Sequence, residues 1–383
     1  MSIDPVAFAA SLIQKSSVTP QDGGAIPLLK ETLEGLGFTC HVVEFTEEGT
    51  APILNLYARR GDKGRNFCFA GHTDVVPPGD MKGWTVDPFG GEILNGSLYG
   101  RGASDMKGAI ACFVAAAEQF IASRGDLDGS ISFLITGDEE AAAINGTRKL
   151  LEWVKAKGDT LDACVVGEPT SAKKLGDMVK IGRRGSLNGF LTVSGIQGHT
   201  ANPHLADNAA HRLLKMLSAL LAEPIDKGND RFPPTDLQVS TIDIGNPTTN
   251  VIPGVARATF NIRFNDQWNS AKLKTWMTAT LDAVAEGHYE LDVKVSGESF
   301  LTPAGEVSDI LTRAIGAVTG MTPDLSTTGG TSDARFITNF CPVAECGLVG
   351  LTMHKVDERV PVADMTALTA IYRKLLDLYF PKA

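Results

Sequence analysis

The sequence predicts an α/β domain with a central, mostly parallel sheet, interrupted by a smaller ferredoxin-like α+β domain. The first observation is a series of short apolar runs, bounded by Gly, Asp or Pro and separated by helical stretches. That alternation is typical of a parallel sheet covered by helices. The second is a change of pattern near Lys180, after which apolar and polar residues alternate. Such alternation is typical of strands with one open face.

The larger domain is predicted from apolar runs that have the length and composition of buried strands. In chain order these runs are ILNLYARRG, NFCFAG, SISFLIT, DACVVGE and PVAECGLVG. The segment KGAIACFVAAAEQFIASRGD separates the second run from the third, with apolar residues at helical spacing at Ile110, Phe113, Val114, Ala117, Phe120 and Ile121. This stripe predicts an amphipathic helix.

The smaller domain is predicted from four alternating runs and two helical stretches. The runs are SLNGFLTVSG, TDLQVSTIDIG, GVARATFNIRF and YELDVKVSG, and the helical stretches extend from about Ala206 to Ala222 and from about Ser270 to Glu286. The order strand, helix, strand, strand, helix, strand is the ferredoxin-like pattern. We therefore expect residues 181–296 to form an insertion, and residues 1–180 and 297–383 to form the larger domain.

Composition excludes several classes of protein. The chain has 383 residues, of which 43% are hydrophobic and 21% charged, as in ordinary globular proteins. Its net charge of −10 argues against a nucleic acid or an anionic membrane as partner, although it permits a small anionic substrate. The six cysteines include no CxxC pair, which favours reduced core thiols over a disulfide framework. We found no secretory signal and no run of the ~20 apolar residues that a membrane span needs, so we expect a cytoplasmic protein.

Four polar clusters follow the predicted strands or precede a helix, and a fifth lies far along the chain. They are His72 with Asp74, Asp105, the acids 138–140, Glu168 and His354. Each has an ordinary explanation when taken alone, such as a helix cap for Asp105 or a hydrogen-bonded histidine for His72. Their recurrence at one kind of position favours a common site.

The residue types indicate which chemistry that site supports. Imidazole and carboxylate suit zinc and similar divalent ions, and the absence of cysteine favours a catalytic site over a structural one. Two ions sharing a bridging carboxylate would leave one acid of the Glu139–Glu140 pair free as a general base. Asp74 could then orient the ring of His72 through its second nitrogen. A nucleotide-binding protein is the alternative class, but no GxGxxG or GxxxxGK[ST] motif follows a strand.

The motifs resemble a known family. GHTDVVPPGD, LYGRGASDMKGAIA, TGDEEAAAINGT, VVGEPT, GRRGSLNGFLTVSGIQGHTANPH, TTGGTSDARF and MHKVDE occur in this order between about Pro5 and Leu378. They resemble the co-catalytic dizinc deacylases and carboxypeptidases of the M20 type. The resemblance implies a zinc-peptidase-like catalytic domain, a dimerisation or lid domain, and a homodimer. A metal-free binding member of the fold is the alternative, but every position expected of a ligand or base is filled.

The resemblance also implies roles for individual residues. One zinc would be held by His72, Asp105 and Glu168, and the other by Asp105, Glu140 and His354, with cobalt able to replace zinc. Glu139 would be the catalytic acid and base, and Asp74 would orient His72. His199 would donate a hydrogen bond in the partner subunit's active site, the alternative being a surface histidine near a turn. The peptide bond between Asp105 and Met106 would be cis.

The implied substrate is a small amide rich in carboxylates. The resemblance points most closely to hydrolysis of N-succinyl-LL-2,6-diaminopimelate, with acetylornithine, other acyl-amino acids and peptides as alternatives. The implied substrate-binding residues are Lys180, Arg183, Ser186, Asn250, Arg263 and Thr331, with Arg184 in the same segment as Arg183. Arginine recognises carboxylates well, although each of these residues alone is also typical of a surface position.

Overall fold

The computed structural model describes residues 2–125 and 128–382. Contacts divide the chain into two compact units. The first comprises Met1–Ile181, Thr302–Ser326 and Ser332–Ala383, and the second comprises Gly182–Leu301 and Thr327–Thr331. The second unit is thus inserted into the first.

The strands, labelled in chain order, are β1 (Thr39–Phe45), β2 (Ile53–Arg60), β3 (Asn66–His72), β4 (Ile93–Leu94), β5 (Ser97–Tyr99), β6 (Ser130–Thr136), β7 (Ala163–Val166), β8 (Met178–Lys180), β9 (Gly182–Arg183), β10 (Gly185–Ser194), β11 (Gly198–His199), β12 (Asp236–Asp243), β13 (Val251–Ile252), β14 (Val255–Phe264), β15 (Tyr289–Gly297), β16 (Phe300–Leu301), β17 (Asp324–Ser326), β18 (Val343–Glu345) and β19 (Arg359–Pro361). The α-helices are α1 (Pro5–Ile13), α2 (Ala25–Gly35), α3 (Lys107–Arg124), α4 (Thr147–Ala156), α5 (Ala209–Leu220), α6 (Ser270–Asp282), α7 (Glu306–Thr319), α8 (Ala334–Ile337) and α9 (Val362–Tyr379). Short 3₁₀ helices cover Met81–Gly83, Pro203–Leu205 and Gly350–Thr352.

The first unit contains an eight-stranded mixed sheet with the order β1-β2-β6-β3-β7-β18-β8-β17. Its central strands β6, β3, β7 and β18 are parallel to one another. β1 and β2 extend the sheet in antiparallel fashion. β3 and β6 are buried along their whole length, as expected for strands covered on both faces. The expected central, mostly parallel sheet is confirmed.

Helices cover both faces of this sheet. Phe69 and Phe133 are register partners on β3 and β6, and both rings contact Phe113 of α3. On the opposite face, Tyr57 of β2 contacts Trp153 of α4. Because neighbouring residues of a strand point to opposite faces, the core of this unit has two layers, one on each side of the sheet.

Helix α3 differs from the expected amphipathic helix. The predicted helix is present, but all of residues 107–117 are buried, not one stripe of them. The reason is its position, since α3 packs against β3, α1 and α9. Its alanines and glycine allow these close contacts on several sides.

The second unit has the predicted ferredoxin-like topology. Its main sheet has the order β12-β14-β10-β15, and each of these pairs is antiparallel. Helices α5 and α6 cover one face and enclose an apolar core that includes Leu213, Phe260 and Met277. The helices lie within the predicted stretches and are a few residues shorter.

The boundaries between the units differ from those expected. The insertion was expected to end at residue 296, but β15 continues to Gly297 and β16 pairs with β9, so residues up to Leu301 belong to the second unit. Ile181 belongs to the first unit, where its amide donates to Ser326. The segment Thr327–Thr331 also joins the second unit, as Arg183 donates to the carbonyl of Gly330. This last contact joins residues far apart in sequence, which no local pattern indicates.

All six cysteines are free of disulfides, and every one except the partly exposed Cys40 is buried, as predicted. Among residues 2–125 and 128–382, no helix is both long and apolar enough to cross a bilayer.

Candidate metal centre

Three parallel strands deliver candidate ligands to one edge of the large sheet. β3 ends at His72, which is the register partner of Thr136, the last residue of β6. Glu139 and Glu140 follow β6, and Glu168 follows β7 on the other side of β3. The carboxyl ends of adjacent parallel strands lie at the same edge of a sheet, where open α/β folds bind their ligands. The sheet therefore brings these side chains together.

Asp105 lies between two histidines. It belongs to the turn that precedes α3, and it is 7% exposed. Its Oδ1 is 3.1 Å from Nε2 of His72, and its Oδ2 is 3.2 Å from Nε2 of His354. Each oxygen of one carboxylate thus faces a different imidazole, which is the arrangement of a bridging ligand. The peptide bond from Asp105 to Met106 is cis, as the resemblance implies.

The other two acids divide between the histidines. Oε1 of Glu140 is 2.9 Å from Nε2 of His354, and Oε1 of Glu168 is 3.7 Å from Nε2 of His72. Ligand atoms of His72, Asp105 and Glu140 lie within 4.8 Å of one another, as do those of His72, Glu139 and Glu168. His72 belongs to both groups, so spacing alone does not divide the ligands. His354 contacts Asp105 and Glu140, the two acids with which the resemblance groups it.

The donor set fits divalent cations. Within the described residues, the buried Oε1 of Glu168 has no hydrogen-bond partner. A buried acceptor without a partner is costly, and a cation beside it would remove that cost. The cluster also contains more carboxylates than imidazoles, an excess of negative charge that metal ions would balance. Imidazole nitrogen and carboxylate oxygen are ligands that zinc accepts.

The charges of the cluster are strongly coupled. Hydrogen bonds with Asp105 and Glu140 raise the pKa of His354 to about 10. Burial opposes the charged form of His72, but the hydrogen bond with Asp105 and the nearby charge of Glu168 raise its pKa well above the usual value. Burial also opposes ionisation of Asp105, yet its bonds to both histidines hold its pKa below the ordinary range. At neutral pH, protons therefore occupy the imidazole nitrogens to which metal ions would bind.

Asp74 holds His72 in a way that the sequence did not predict. The backbone carbonyl of Asp74, not its carboxylate, lies 2.9 Å from Nδ1 of His72. The nearer carboxylate oxygen is 3.6 Å from that nitrogen, beyond hydrogen-bond range. The carboxylate instead accepts from the amides of Glu139, at 3.2 Å, and Glu140, at 3.0 Å. Asp74 thus positions both the His72 ring and the segment that carries the two glutamates.

The carboxyl of Glu139 has a raised pKa. Burial raises its pKa to about 8, and the charges of Asp333, Glu140 and Asp105 act in the same direction. A carboxyl whose pKa lies near neutrality can both accept and return a proton. Its neighbour Glu140 contacts His354, so the two adjacent acids have different surroundings.

Asp138 is a positioning residue to which the sequence analysis assigned no role. It is 4% exposed, and its carboxylate accepts from the amides of Ala143, Ile144 and Asn145 at 3.2, 2.9 and 2.8 Å. It thereby closes the loop that begins with Glu139 and Glu140. An aspartate at the start of a loop is a recognised signal for such bonds, but the sequence did not identify the amides it would bind.

His199 and Asn250, both predicted site residues, lie close together in the second unit. His199 belongs to β11, which pairs with β13, and the amide of Thr200 donates to the carbonyl of Asn250 at 3.0 Å. The ring of His199 is exposed, and its Nδ1 accepts from the amide of Ala201 at 3.0 Å. Because Nδ1 is the acceptor in this bond, Nε2 is the ring nitrogen left to donate a hydrogen bond.

The predicted substrate-binding residues other than Asn250 fall into three places. Ser186 and Arg263 are register partners on β10 and β14. Arg183 and Thr331 belong to the second unit, where Arg183 donates to Gly330 at 3.0 Å. Lys180 belongs to the first unit and donates to Ser326 at 3.2 Å.

Two guanidiniums of the second unit, those of Arg184 and Arg263, lie close enough for their charges to interact. Burial lowers the pKa of Arg263, and the positive charge of Arg184 lowers it further. Within the described residues, the buried Nε of Arg184 has no hydrogen-bond partner. Two like charges held together are stabilised by an anion, and a carboxylate matches the guanidinium geometry.

Comparison with known proteins identifies the family. Residues 68–378 match the model of Peptidase family M20/M25/M40. The chain belongs to this family. The matched range contains every ligand candidate described above. The chain is therefore a metallohydrolase of that family, as the sequence analysis expected.

Individual relatives agree with this result. A protein named succinyl-diaminopimelate desuccinylase from Rhodospirillum centenum is 57% identical over 100% of this chain and 99% of its own length. The crystal structure of an M20 family metallo-carboxypeptidase from Sulfolobus solfataricus matches with a TM-score of 0.79 at 18% identity, covering 98% of this chain and 99% of that chain. A dinuclear metal-binding peptidase of the M20 family from Bacillus subtilis matches with a TM-score of 0.72 at 15% identity, covering 99% and 98%. The two structures support the fold.

Metal binding to this cluster is expected to release protons. At about pH 7.5 the two ring nitrogens with raised pKa values carry protons that a metal ion must displace. Calorimetric titration of the metal-free protein with zinc chloride, in buffers of different ionisation enthalpy, should show at least one proton released. The affinity should rise as the pH rises towards about 10, the pKa of His354. Heats that are independent of the buffer, with an affinity that does not change with pH, would contradict this interpretation.

Proposed function

We propose that the chain is a two-zinc amidohydrolase that converts N-succinyl-LL-2,6-diaminopimelate and water into succinate and LL-2,6-diaminopimelate. The observation that carries the chemistry is the carboxylate of Asp105, which faces one imidazole with each oxygen. The substrate assignment rests on the named relative that is 57% identical over the full length. This reaction supplies the amino acid used for lysine synthesis and for bacterial cell-wall cross-links.

Five residues would hold the two ions. His72 and Glu168 would complete one position and Glu140 and His354 the other, with Asp105 shared between them. Zinc is the expected metal and cobalt a substitute, since imidazole and carboxylate bind both. When bound, such ions polarise an amide carbonyl and lower the pKa of water, which supplies the electrophile and the nucleophile of amide hydrolysis.

Glu139 would carry the proton through the reaction. Its carboxylate removes a proton from the attacking water as the new C–O bond forms. The same proton then passes to the amide nitrogen as the C–N bond breaks, so that the leaving group departs as an amine and not as an amide anion. His199 would donate a hydrogen bond from its Nε2 to the oxygen on which negative charge develops. Asp74 and Asp138 would keep Glu139 in position through the backbone of its loop.

Arginines of the second unit would recognise the carboxylates of the substrate. Arg263 and Arg184 already lie within electrostatic reach of each other. A substrate carboxylate would reduce the repulsion between the two guanidiniums and accept paired hydrogen bonds from guanidinium N–H groups. Arg183, Ser186, Asn250, Thr331 and Lys180 remain predicted contacts of the same substrate.

A homodimer would form through the β12 edge of the second unit. β12 is an edge strand of the sheet, and α5 packs on β14 and β10, towards that edge. Leu214, Leu221 and Ile242 are 52%, 53% and 51% exposed there. The other edge strand, β15, carries alternating charges that discourage pairing. β12 carries charges only at its two ends, Asp236 and Asp243, and this edge beside exposed leucines favours association of two copies, in the cytoplasm as the sequence predicts.

The first test is hydrolysis by zinc-loaded protein of N-succinyl-LL-2,6-diaminopimelate and, separately, of N-acetylornithine. We expect rapid release of succinate, loss of activity in a chelated sample, and little turnover of acetylornithine, because the arginines match a substrate with several carboxylates. Preference for acetylornithine would refute the substrate assignment and retain the metal chemistry. Failure on both substrates, with two zinc ions bound, would refute the proposed reaction.

The matched control for that assay is Glu139→Gln. The amide keeps the size of the side chain but cannot take a proton, so we expect turnover to fall by about 10²–10⁴-fold. Zinc content should stay the same, because Glu139 is not one of the five proposed ligands. Near-normal activity in this variant would remove Glu139 from its role.

The role of His199 across a dimer can be tested with two inactive variants. His199→Ala and Glu139→Gln subunits are co-expressed with different tags, and the mixed dimer is purified through both. If His199 serves the partner subunit, one site of each mixed dimer is complete and about half of the wild-type activity returns. A mixed dimer no more active than its parents would show that His199 acts within its own subunit or not at all.

A further inference from the structure

Arg101 and Glu358 form a buried ion pair next to the metal centre. Their side chains are 2% and 0% exposed, and Nη1 of Arg101 lies 2.6 Å from Oε2 of Glu358. Neither residue contributes an atom to the ligand cluster. Burying two charges costs about as much free energy as their attraction returns. Such a pair is therefore poorly explained by stability alone.

Glu358 holds the main chain of the bridging residue. Its Oε1 accepts from the amide of Ser104 at 2.9 Å and from the amide of Asp105 at 3.1 Å. Its own carbonyl accepts from the amide of Gly100 at 2.9 Å. The carboxylate of Glu358 thus fixes the peptide from which the carboxylate of Asp105 projects.

Arg101 holds two further segments with the terminal nitrogens of its guanidinium. Nη1 donates to the carbonyl of Lys355 at 3.2 Å, and Nη2 donates to that of Pro77 at 3.3 Å. The guanidinium also lies over the ring of Trp84, 5.4 Å from its centre. Lys355 follows His354 directly, so the pair links the loop that carries His354 to the turn that carries the bridging Asp105.

The other half of the centre is fixed by the sheet. His72 is the last residue of β3 and pairs in register with Thr136. Glu168 follows Gly167, whose amide donates to the carbonyl of Ala70 in β3 at 3.1 Å. His354, by contrast, lies between a short 3₁₀ helix and β19, with a left-handed φ of 61°. Its position depends on loop contacts, and Arg101 and Glu358 supply several of them.

We propose that the Arg101–Glu358 pair is the positioning element of the metal position formed by Asp105, Glu140 and His354, a proposal that rests on the two-metal centre described above. The pair sets the distance between Asp105 and His354, now 3.2 Å from Oδ2 to Nε2. The position formed by His72 and Glu168 is set by sheet hydrogen bonds and depends on the pair only through the shared aspartate. Loss of the pair should therefore weaken one of the two metal positions selectively.

The test is titration of metal-free protein with zinc chloride and with cobalt chloride, followed by calorimetry and by visible absorption. The variants are Glu358→Gln, which keeps the side-chain shape and removes the charge, and Arg101→Lys, which keeps the charge and removes the fork of donors. We expect one equivalent to bind with wild-type affinity and the other about 10–100-fold more weakly, the range typical of residues that hold metal ligands. The cobalt spectrum should lose the contribution of one ion.

A second ion pair provides matched controls. Arg59 of β2 donates to Asp159 at 2.7 Å and to Ser130 at the opposite end of β6 from the metal centre. Arg59→Lys and Asp159→Asn make the same chemical changes and should leave both metal affinities unchanged, whatever they do to the melting temperature.

The outcomes separate the two proposals. Wild-type protein that binds fewer than two equivalents would refute the two-metal centre itself. Wild-type binding of two equivalents, with both affinities in Glu358→Gln and Arg101→Lys within twofold of wild type, would overturn the positioning role. Equal weakening of both positions would also overturn it, because it would indicate general loosening of the fold.

Discussion

The candidate site depends on one carboxylate shared between two imidazoles. Asp105 contacts His72 with one oxygen and His354 with the other, at 3.1 and 3.2 Å. The two histidines are far apart in sequence, one at the end of a buried strand and one in a loop near the carboxyl terminus. The fold must therefore bring three separate segments to within hydrogen-bonding distance of one another. The buried strands, the start of α3 and the loop before β19 all meet at this point.

Charge explains why this site needs more than its candidate ligands. Asp105 and Glu168 are buried, and the cluster gathers more acids than bases. Such a group stays together only if its oxygens are bound by N–H donors, imidazoles or cations. Asp74 and Asp138 receive backbone N–H donors, whereas the imidazoles and metal ions would serve the others. Burial raises the pKa of Glu139, and a raised pKa is the property that a proton carrier needs.

Much of this arrangement could be predicted from the sequence. Short apolar runs revealed the central strands, and strand ends in a parallel sheet are ligand positions, so His72 and Glu168 were identifiable. The strand and helix order also predicted the ferredoxin-like unit, because each run had the right period and length. The resemblance to known motifs then supplied the roles of Glu139, Glu140 and His354, which remain proposals.

The rest depended on contacts that no local pattern encodes. A sequence shows that Asp74 follows His72, but not that its carbonyl reaches the ring while its carboxylate binds the next loop. Burial of α3 on all sides follows from neighbouring helices. The bond between Arg101 and Glu358 spans most of the chain. Each of these features depends on tertiary packing, which local spacing does not determine.

The most direct test of the bridging carboxylate is a crystal structure of the zinc-loaded protein, with anomalous diffraction recorded at the zinc absorption edge. We predict two anomalous peaks about 3.5–4 Å apart, as in other two-metal sites. One oxygen of Asp105 should lie next to each peak, with His72 at the first and His354 at the second. A single peak, or two peaks of which only one contacts Asp105, would contradict the account.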